Sequence, residues 1–235
     1  MKKRLFAVLT AVITLFLSAL ITCITALSAP VPVFASAPAG MKIVLDAGHG
    51  GIDGGVTGVK TGVKESELNL KITFAMKHAL EEVGFDVTLT RKTSAGLYGI
   101  PTKGFKRRDM QARKDVIQQA RPDLVVSIHQ NRYPTQTTRG AQVFFNTNVE
   151  GSRLLAQSLQ ASLNELYKTQ GVKPRAPMQG EFFILDCAPV PSVIVECGFL
   201  SNPNDEALLC SEDWQNRLAH SLIIGLMHYF SPSSL

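Results

Sequence analysis

The chain has 235 residues and a formal net charge of +5, and three of those positive charges belong to Lys2, Lys3 and Arg4. The rest of the chain is close to neutral, so the composition gives no reason to expect a nucleic-acid partner. Residues 41–235 have the length of one ordinary domain, and they show neither an internal repeat nor a second domain.

The first 40 residues have the layout of an export segment. Lys2, Lys3 and Arg4 precede an apolar run that extends from Leu5 to about Leu27, and the small residue Ala35 offers a cleavage site. This layout predicts a secretory signal peptide. Because the apolar run is long enough to cross a bilayer, a retained N-terminal membrane anchor is the alternative. Either reading places the domain outside the cytoplasmic membrane, with membrane contact only through this segment.

After the export segment, short apolar runs alternate with amphipathic stretches. This alternation predicts a single α/β domain with a mixed, mostly parallel sheet flanked by helices. The predicted strands are Lys42–Ala47, Asp86–Thr90, Leu124–Ile128, Ala141–Phe145, Phe182–Leu185 and Ser192–Glu196. The predicted helices are Glu65–Val83, Lys106–Ala120, Gly151–Tyr167 and Trp214–Tyr229. Three cysteines follow the export segment, and their odd number and spacing predict buried thiols at Cys187, Cys197 and Cys210.

Two histidines follow apolar strands directly. The first predicted strand leads through Ala47 to His49, and the third leads through Ile128 to His129. Open α/β sheets bind ligands at the carboxyl ends of their strands, so these histidines form a metal-site hypothesis. A phosphate-binding loop is the alternative for the glycine-rich run around His49. It is excluded because Asp53 stands where the G-x-G-x-x-G pattern needs glycine, and no Gly-Lys-Ser/Thr follows.

A catalytic zinc ion commonly takes two histidines and one carboxylate and keeps an open position for water. Two glutamates at the start of the first predicted helix are candidates for the carboxylate. Glu65 falls on the same helical stripe as Leu68 and Ile72, which must face the sheet, whereas Glu67 points toward water. Glu65 is therefore the better ligand. Its alternative role is a carboxylate that stabilises a helix N-terminus.

Glu196 ends a β-branched strand. A carboxylate there costs free energy unless it is paired or kept for chemistry. Glu196 could act as a general base toward a water molecule and then as an acid toward a leaving nitrogen. The alternative is a salt bridge to Arg91, Arg108 or Arg113.

Four motifs together resemble the zinc-dependent N-acetylmuramoyl-L-alanine amidases of bacterial cell walls. They are LDAGHGG at 45–51, KESELNL at 64–70, VSIHQN at 126–131 and VECGFLSNP at 195–203. The resemblance implies one zinc ion per chain held by His49, Glu65 and His129, with Glu196 as the catalytic residue. It also implies a sheet of about six strands in the manner of phosphorylase/hydrolase-like folds.

The reaction implied by the resemblance is hydrolysis of the amide between N-acetylmuramic acid and L-alanine in peptidoglycan. The single-domain layout is most similar to the spore-cortex amidases of Firmicutes, which act before a deacetylase in the muramic-lactam pathway. That similarity implies secretion or a place on the outer face of the membrane, including the space between the spore membranes. Candidate substrate contacts are Asn69, Asn131 and Arg139.

Two other functions are open on the sequence alone. One is a zinc peptidase that acts on wall peptides, and the other is a peptidoglycan-binding protein without catalytic activity. A further expectation is that a protein partner completes or activates the metal site, because the segment Val56–Lys64 before Glu65 is rich in glycine and lysine.

Overall fold

The computed structural model describes residues 40–230. The segment predicted to be a signal peptide or membrane anchor lies outside the described residues, apart from Gly40. Within the described part, six strands form one sheet: β1 (Lys42–Ala47), β2 (Asp86–Leu89), β3 (Leu124–Asn131), β4 (Gln142–Phe145), β5 (Met178–Gln179) and β6 (Ser192–Phe199). Five α-helices accompany it: α1 (Glu65–Glu82), α2 (Phe105–Ala120), α3 (Ser152–Lys168), α4 (Pro203–Leu209) and α5 (Glu212–Phe230).

The strands lie in the order β2-β1-β3-β6-β4-β5. All neighbouring pairs are parallel except β4 and β6, which are antiparallel. The predicted α/β fold with a mixed, mostly parallel sheet is therefore confirmed. Because β1, β3 and β6 are adjacent and parallel, the residues that end these three strands meet at one edge of the sheet.

The two faces of the sheet are covered unequally. Alternate strand residues such as Ile43, Val126 and Val195 join a large apolar core with side chains of α1, α3 and α5. On the opposite face, Val44 and Val125 belong to a much smaller cluster. That second cluster is completed by Ile117 of α2, by the short 3₁₀ helix Phe183–Asp186 and by the residues after it. We call these the thick face and the thin face.

The structure corrects two expectations. The run Phe182–Leu185 does not form a strand, because a 3₁₀ helix spans Phe183–Asp186, and the Leu185 amide donates to the Phe182 carbonyl. A short apolar run does not distinguish a buried strand from a buried helical turn. Cys187 and Cys197 are buried thiols as predicted, but Cys210 is exposed because it ends α4 at a surface turn.

Sequence patterns also missed two elements. β5 has only two residues, and α4 begins at Pro203 after Asn202, whose side chain accepts hydrogen bonds from the amides of Asn204 and Asp205. An asparagine cap followed by proline is a helix-start signal. Among residues 40–230, no helix combines the length and apolar composition that a membrane crossing requires.

Candidate active site

Side chains from three strand ends and one helix start meet at the edge of the sheet. His49 follows β1, His129 lies in β3, and Glu196 of β6 is paired in register with His129. By strand alternation, His129 and Glu196 project on the same side as Val125 and Ile194, which is the thin face. Glu65 is the first residue of α1 and reaches the group from the other side of the sheet edge.

His49, Glu65 and His129 form a compact three-residue group. Each offers one ligand atom, and these atoms all lie within 4.8 Å of one another. Oε1 of Glu65 lies 2.9 Å from Nδ1 of His129 and 3.3 Å from Nε2 of His49. The two imidazole rings lie 5.0 Å apart in an edge-on arrangement. Two ring nitrogens and one carboxylate oxygen form a donor set that is able to hold a divalent metal ion.

Glu65 is buried, with 2% of its surface exposed, and both carboxylate oxygens accept hydrogen bonds. The Gln130 amide and the Asn69 side chain donate to Oε1, and the Val56 amide donates to Oε2 at 2.8 Å. Burial alone would raise the pKa of Glu65. The two histidines outweigh burial and hold its pKa well below the usual range. The carboxylate is therefore ionised at any pH at which the protein works.

The backbone around His49 is shaped for the position of its ring. His49 has φ of 60°, a left-handed conformation that few non-glycine residues adopt. Its Nδ1 lies 3.1 Å from Oδ2 of Asp53, which orients the ring and leaves Nε2 toward Glu65. A Cβ atom on Gly48 would lie only 2.2 Å from the His129 ring. The glycine before His49 therefore leaves the space that the second histidine occupies.

Two buried arginines hold the main chain beneath His49. Arg113 donates to the carbonyls of Ala47 and His49 and forms an ion pair with Asp46 at 2.6 Å. Arg91 donates to the carbonyls of Gly48 and Ser66, so it ties the His49 loop to the start of α1. These contacts fix the relative positions of His49 and Glu65, two members of the three-residue group.

Asp46 is the buried anion of this network. Burial alone would raise its pKa, but the Arg113 charge and the hydroxyls of Ser127 and Thr90 outweigh burial and lower the pKa to about 2. The hydroxyl contacts are both 2.6 Å long. Asp46 is therefore ionised and fully hydrogen-bonded in the folded protein.

Glu196 differs from the other buried acids. Its Oε2 is buried and has no hydrogen-bond partner. Burial, joined by the charge of Glu65, raises the pKa of Glu196 to about 7, although the histidines oppose the shift. The salt bridges of the described residues do not pair Glu196 with an arginine. Arg91 and Arg113 are engaged beneath His49, and Arg108 donates to carbonyls near residue 100.

The three candidate substrate contacts lie in different surroundings. Asn69 is fully buried, where it bridges the Gly48 carbonyl, Glu65 and Gln130, so it lies behind the metal-binding group. Asn131 is partly exposed at the end of β3, and its Oδ1 accepts the Arg132 amide. The guanidinium of Arg139 is bound to Asp205 at 2.9 Å.

A cavity of about 280 Å³ opens beside His49 and His129 on the thin face. Phe182, Phe183 and Ile184 form an apolar wall, and Lys106 is also among the lining residues. Both phenylalanines are exposed, at 41% and 50%. A concave, largely apolar site with a few polar groups is the usual form of a small-molecule binding site. A substrate group can therefore lie against this wall while it contacts the histidines.

Comparison with known proteins assigns the chain to a family. Residues 43–228 match the family model described as N-acetylmuramoyl-L-alanine amidase. The chain belongs to that family. The matched range contains every residue of the group described above.

Individual members of the amidase family agree in sequence and in fold. The germination-specific N-acetylmuramoyl-L-alanine amidase of Bacillus subtilis (strain 168) is 32% identical over 195 residues, which cover 82% of this chain and 81% of that protein. The CwlD amidase from Clostridioides difficile, solved in complex with the GerS lipoprotein, is 31% identical with a TM-score of 0.75. That match covers 81% of this chain and 98% of the other.

A third relative has a similar catalytic domain. The amidase domain of CwlV from Bacillus (Paenibacillus) polymyxa var. colistinus is 26% identical with a TM-score of 0.69, over 80% of this chain and 97% of that one. The shared fold therefore extends across nearly the whole of each solved domain.

Sequence patterns missed the residues that support the amidase site. Asp53 follows His49 by four residues in a glycine-rich turn. Its contact with the His49 ring depends on the geometry of that turn, which the sequence pattern does not specify. Arg113 lies four residues after Asp109, which is a spacing that brings side chains together on a helix, and the two form an ion pair at 2.6 Å. The four-residue spacing of Asp109 and Arg113 could have predicted an ion pair on α2.

Replacing Gly48 with alanine will weaken metal binding more than it weakens the fold. The new Cβ displaces the His129 ring, whereas the backbone angles of Gly48 are accessible to alanine. We expect affinity for a divalent metal ion to fall by about tenfold or more, measured by competition with a chelating dye. Gly54→Ala is the matched control, because its Cβ would meet only the flexible Lys64 side chain. Equal losses in both variants would contradict the prediction.

Asp46 will make stability depend on acidic pH. Its folded pKa of about 2 is below the value near 3.9 of an unfolded chain, so its contribution is present above pH 4 and is lost as the pH falls toward 2. Asp46→Asn will destabilise the neutral protein by roughly 3 kcal/mol. Urea unfolding should show this difference shrinking below about pH 4. A difference that stays constant down to pH 3 would contradict the prediction.

Proposed function

We propose that this protein hydrolyses the amide between the lactyl group of N-acetylmuramic acid and L-alanine in peptidoglycan, with Zn²⁺ held by His49, Glu65 and His129. Family membership supports the reaction. The observation that carries the catalytic assignment is the buried, unpartnered Oε2 of Glu196 beside the three-residue group. A carboxylate oxygen kept without a partner at such a position is available to a reacting proton.

The donor set fits zinc. Two imidazoles and one carboxylate are a common ligand set for catalytic Zn²⁺. Asp53 at His49 Nδ1 provides the outer contact that zinc-binding histidines usually make. When bound there, Zn²⁺ supplies Lewis acidity that polarises the scissile carbonyl and makes water a better nucleophile near neutral pH.

Glu196 moves the proton in this mechanism. A pKa near 7 lets its carboxylate accept a proton from the attacking water and later donate that proton to the departing alanine nitrogen. Water adds its oxygen to the lactyl carbonyl carbon and the bond from that carbon to the alanine nitrogen breaks. One water proton ends on the alanine nitrogen, and the other is left with the new carboxyl group. Glu65 has a depressed pKa and stays ionised, so it does not compete for the proton.

The substrate lies across the open edge of the sheet. The wall of Phe182 and Phe183 suits the apolar face of a sugar ring, and it borders both histidines. Asn131 ends β3 and Arg139 lies in the loop before β4, and both are our candidates for contacts to the stem peptide. Asn69 contributes indirectly, by holding Glu65 through its amide.

We place the protein in spore-cortex maturation, before a deacetylase that acts on the exposed muramic acid. The name of the Bacillus subtilis relative supports this assignment. We also propose a protein partner, because the Clostridioides difficile relative was solved in complex with a lipoprotein. The export segment at residues 1–40 supports a location at the cell-wall side of the membrane, either released or anchored.

Mass analysis of peptidoglycan fragments distinguishes the alternatives. The amidase releases stem peptides with a free N-terminal alanine and leaves the glycan intact. A zinc peptidase would instead cut within the peptide and leave alanine on the sugar. A protein that only binds peptidoglycan would sediment with it and release nothing, with or without Zn²⁺. Either of these outcomes would overturn the proposed reaction.

Glu196→Gln will separate binding from turnover. The amide keeps the size of the carboxylate but cannot accept the proton, so kcat should fall by about 10²–10⁴-fold. Zinc affinity should stay near the wild-type value, because Glu196 is outside the ligand set. The measurements are fragment release from defined muropeptides and zinc competition with a chelating dye. Retention of full activity would rule out the assigned role of Glu196.

A further inference from the structure

A further buried glutamate lies outside the metal-binding group. Glu206 is in α4, directly after the strand that carries Glu196, and only 1% of its surface is exposed. Its carboxylate accepts the Lys60 amide at 2.8 Å, the Thr61 amide at 2.7 Å and the Thr61 hydroxyl at 2.7 Å. All three donors belong to the loop 56–64, which precedes Glu65.

The ends of this loop are attached to the domain by Val56 and Val63, which pack against the core of the thick face, but its middle has few other attachments. Most of its residues are exposed, and its own hydrogen bonds close it on itself through Gly58 and Val63. The Val59 amide makes one further contact, at 3.3 Å to the Leu200 carbonyl. A charged acceptor that binds three donors makes stronger hydrogen bonds than a neutral one. Glu206 is therefore the main hydrogen-bonding anchor for the middle of the loop, at Lys60 and Thr61.

The loop in turn fixes the orientation of Glu65. The Val56 amide donates to Oε2 of Glu65, and the Glu65 amide donates to the Val56 carbonyl at 2.9 Å. The Ser66 amide donates to the carbonyl of Gly54, two residues before the loop, so this stretch of chain also satisfies the first amides of α1. With Oε2 held in this way, Oε1 is the oxygen that faces both histidines.

Two glycines lie so close to the carboxylates of Glu206 and Glu65 that a side chain at either position would clash. A Cβ on Gly58 would lie 2.4 Å from Oε1 of Glu206, and a Cβ on Gly55 would lie 2.4 Å from Oε2 of Glu65. The loop therefore approaches Glu206 closely at Gly58, and the residue directly before the loop, Gly55, approaches Glu65 closely. Displacement at the Glu206 contact is transmitted to the Glu65 contact through only a few residues.

We propose that Glu206 is a positioning residue for metal binding: it holds the loop 56–64 so that the Val56 amide orients the Glu65 carboxylate toward the two histidines. The inference rests on the proposed function, in that Glu65 must be a zinc ligand. Glu206 itself touches neither the metal-binding atoms nor the reacting atoms.

Glu206→Ala tests the proposal with zinc affinity as the readout. Outer contacts to zinc ligands typically contribute 10–100-fold in affinity, and we expect a loss of about that size. Hydrogen exchange at the Val56 amide should become faster in the same variant. Glu206→Gln keeps an acceptor oxygen for Thr61 but turns an amide donor toward Lys60, so its loss should be smaller. It carries the test if the alanine variant does not fold.

Asp205→Asn is the matched control. Asp205 is the neighbouring buried carboxylate in α4, but its donors are Arg139, Gly140 and the Phe199 amide, none of which contacts the Glu65 loop. If general loosening of α4 caused the effect, Asp205→Asn would lower zinc affinity as much as the Glu206 variants do. We expect it to lower the free energy of unfolding while affinity stays close to the wild-type value.

Gly58→Ala perturbs the same contact from the loop side. We expect it to lower zinc affinity alone and to add little in the double variant with Glu206→Ala, because both disturb one contact. Faster exchange in the loop with unchanged affinity would overturn the proposal. If the wild-type protein binds Zn²⁺ but does not cut muropeptides, the proposed function is overturned. The comparison of zinc affinities among the variants still tests the role of Glu206 in that case. Wild-type protein that binds no Zn²⁺ would overturn both.

Discussion

The buried carboxylate of Glu65 is the constraint on which the site depends. An ionised group with 2% exposure is costly to desolvate, and it is tolerated because every direction around it offers a donor. Those donors come from the His49 loop, from β3, from the Val56 loop and from α1 itself. Three of these segments lie between His49 and Asn69, whereas the Gln130 amide of β3 is 65 residues from Glu65 along the chain. The carboxylate therefore has its full set of donors only when β3 is paired with β1 in the sheet.

Much of this arrangement could be predicted from the sequence. Apolar runs located β1, β3 and β6, and the residues after them identified His49, His129 and Glu196 as neighbours at one edge. The helical stripe that contains Leu68 and Ile72 selected Glu65 over Glu67, and the structure has Glu65 buried and Glu67 exposed. These inferences work because strand direction and helix periodicity fix side-chain direction over short distances.

The rest depended on contacts between segments that no local pattern encodes. Asn69 is a polar residue next to the site in sequence, which makes it a candidate substrate contact. In the fold it is buried and its side chain donates to Glu65. The run Phe182–Leu185 is as apolar as a strand, but the sheet edge there belongs to the two-residue strand β5. Glu206 lies in a helix that the sequence patterns missed, and its partners are about 145 residues away along the chain.

The unequal covering of the sheet places most of the core packing on one face and the cavity on the other. Most of the apolar burial lies on the thick face, among α1, α3 and α5, where a change of one methyl group alters packing. The apolar wall of the cavity lies on the thin face, in a segment between β5 and β6 where Phe182 and Phe183 are half exposed. Within that segment Phe182 and Phe183 are exposed, whereas Ile184 and Leu185 are buried in the thin-face cluster. Substitutions at the two phenylalanines therefore alter the cavity surface at a smaller cost in folding free energy than changes at their buried neighbours. The cavity beside His49 and His129 can thus vary along one wall while the core that positions the two histidines is kept.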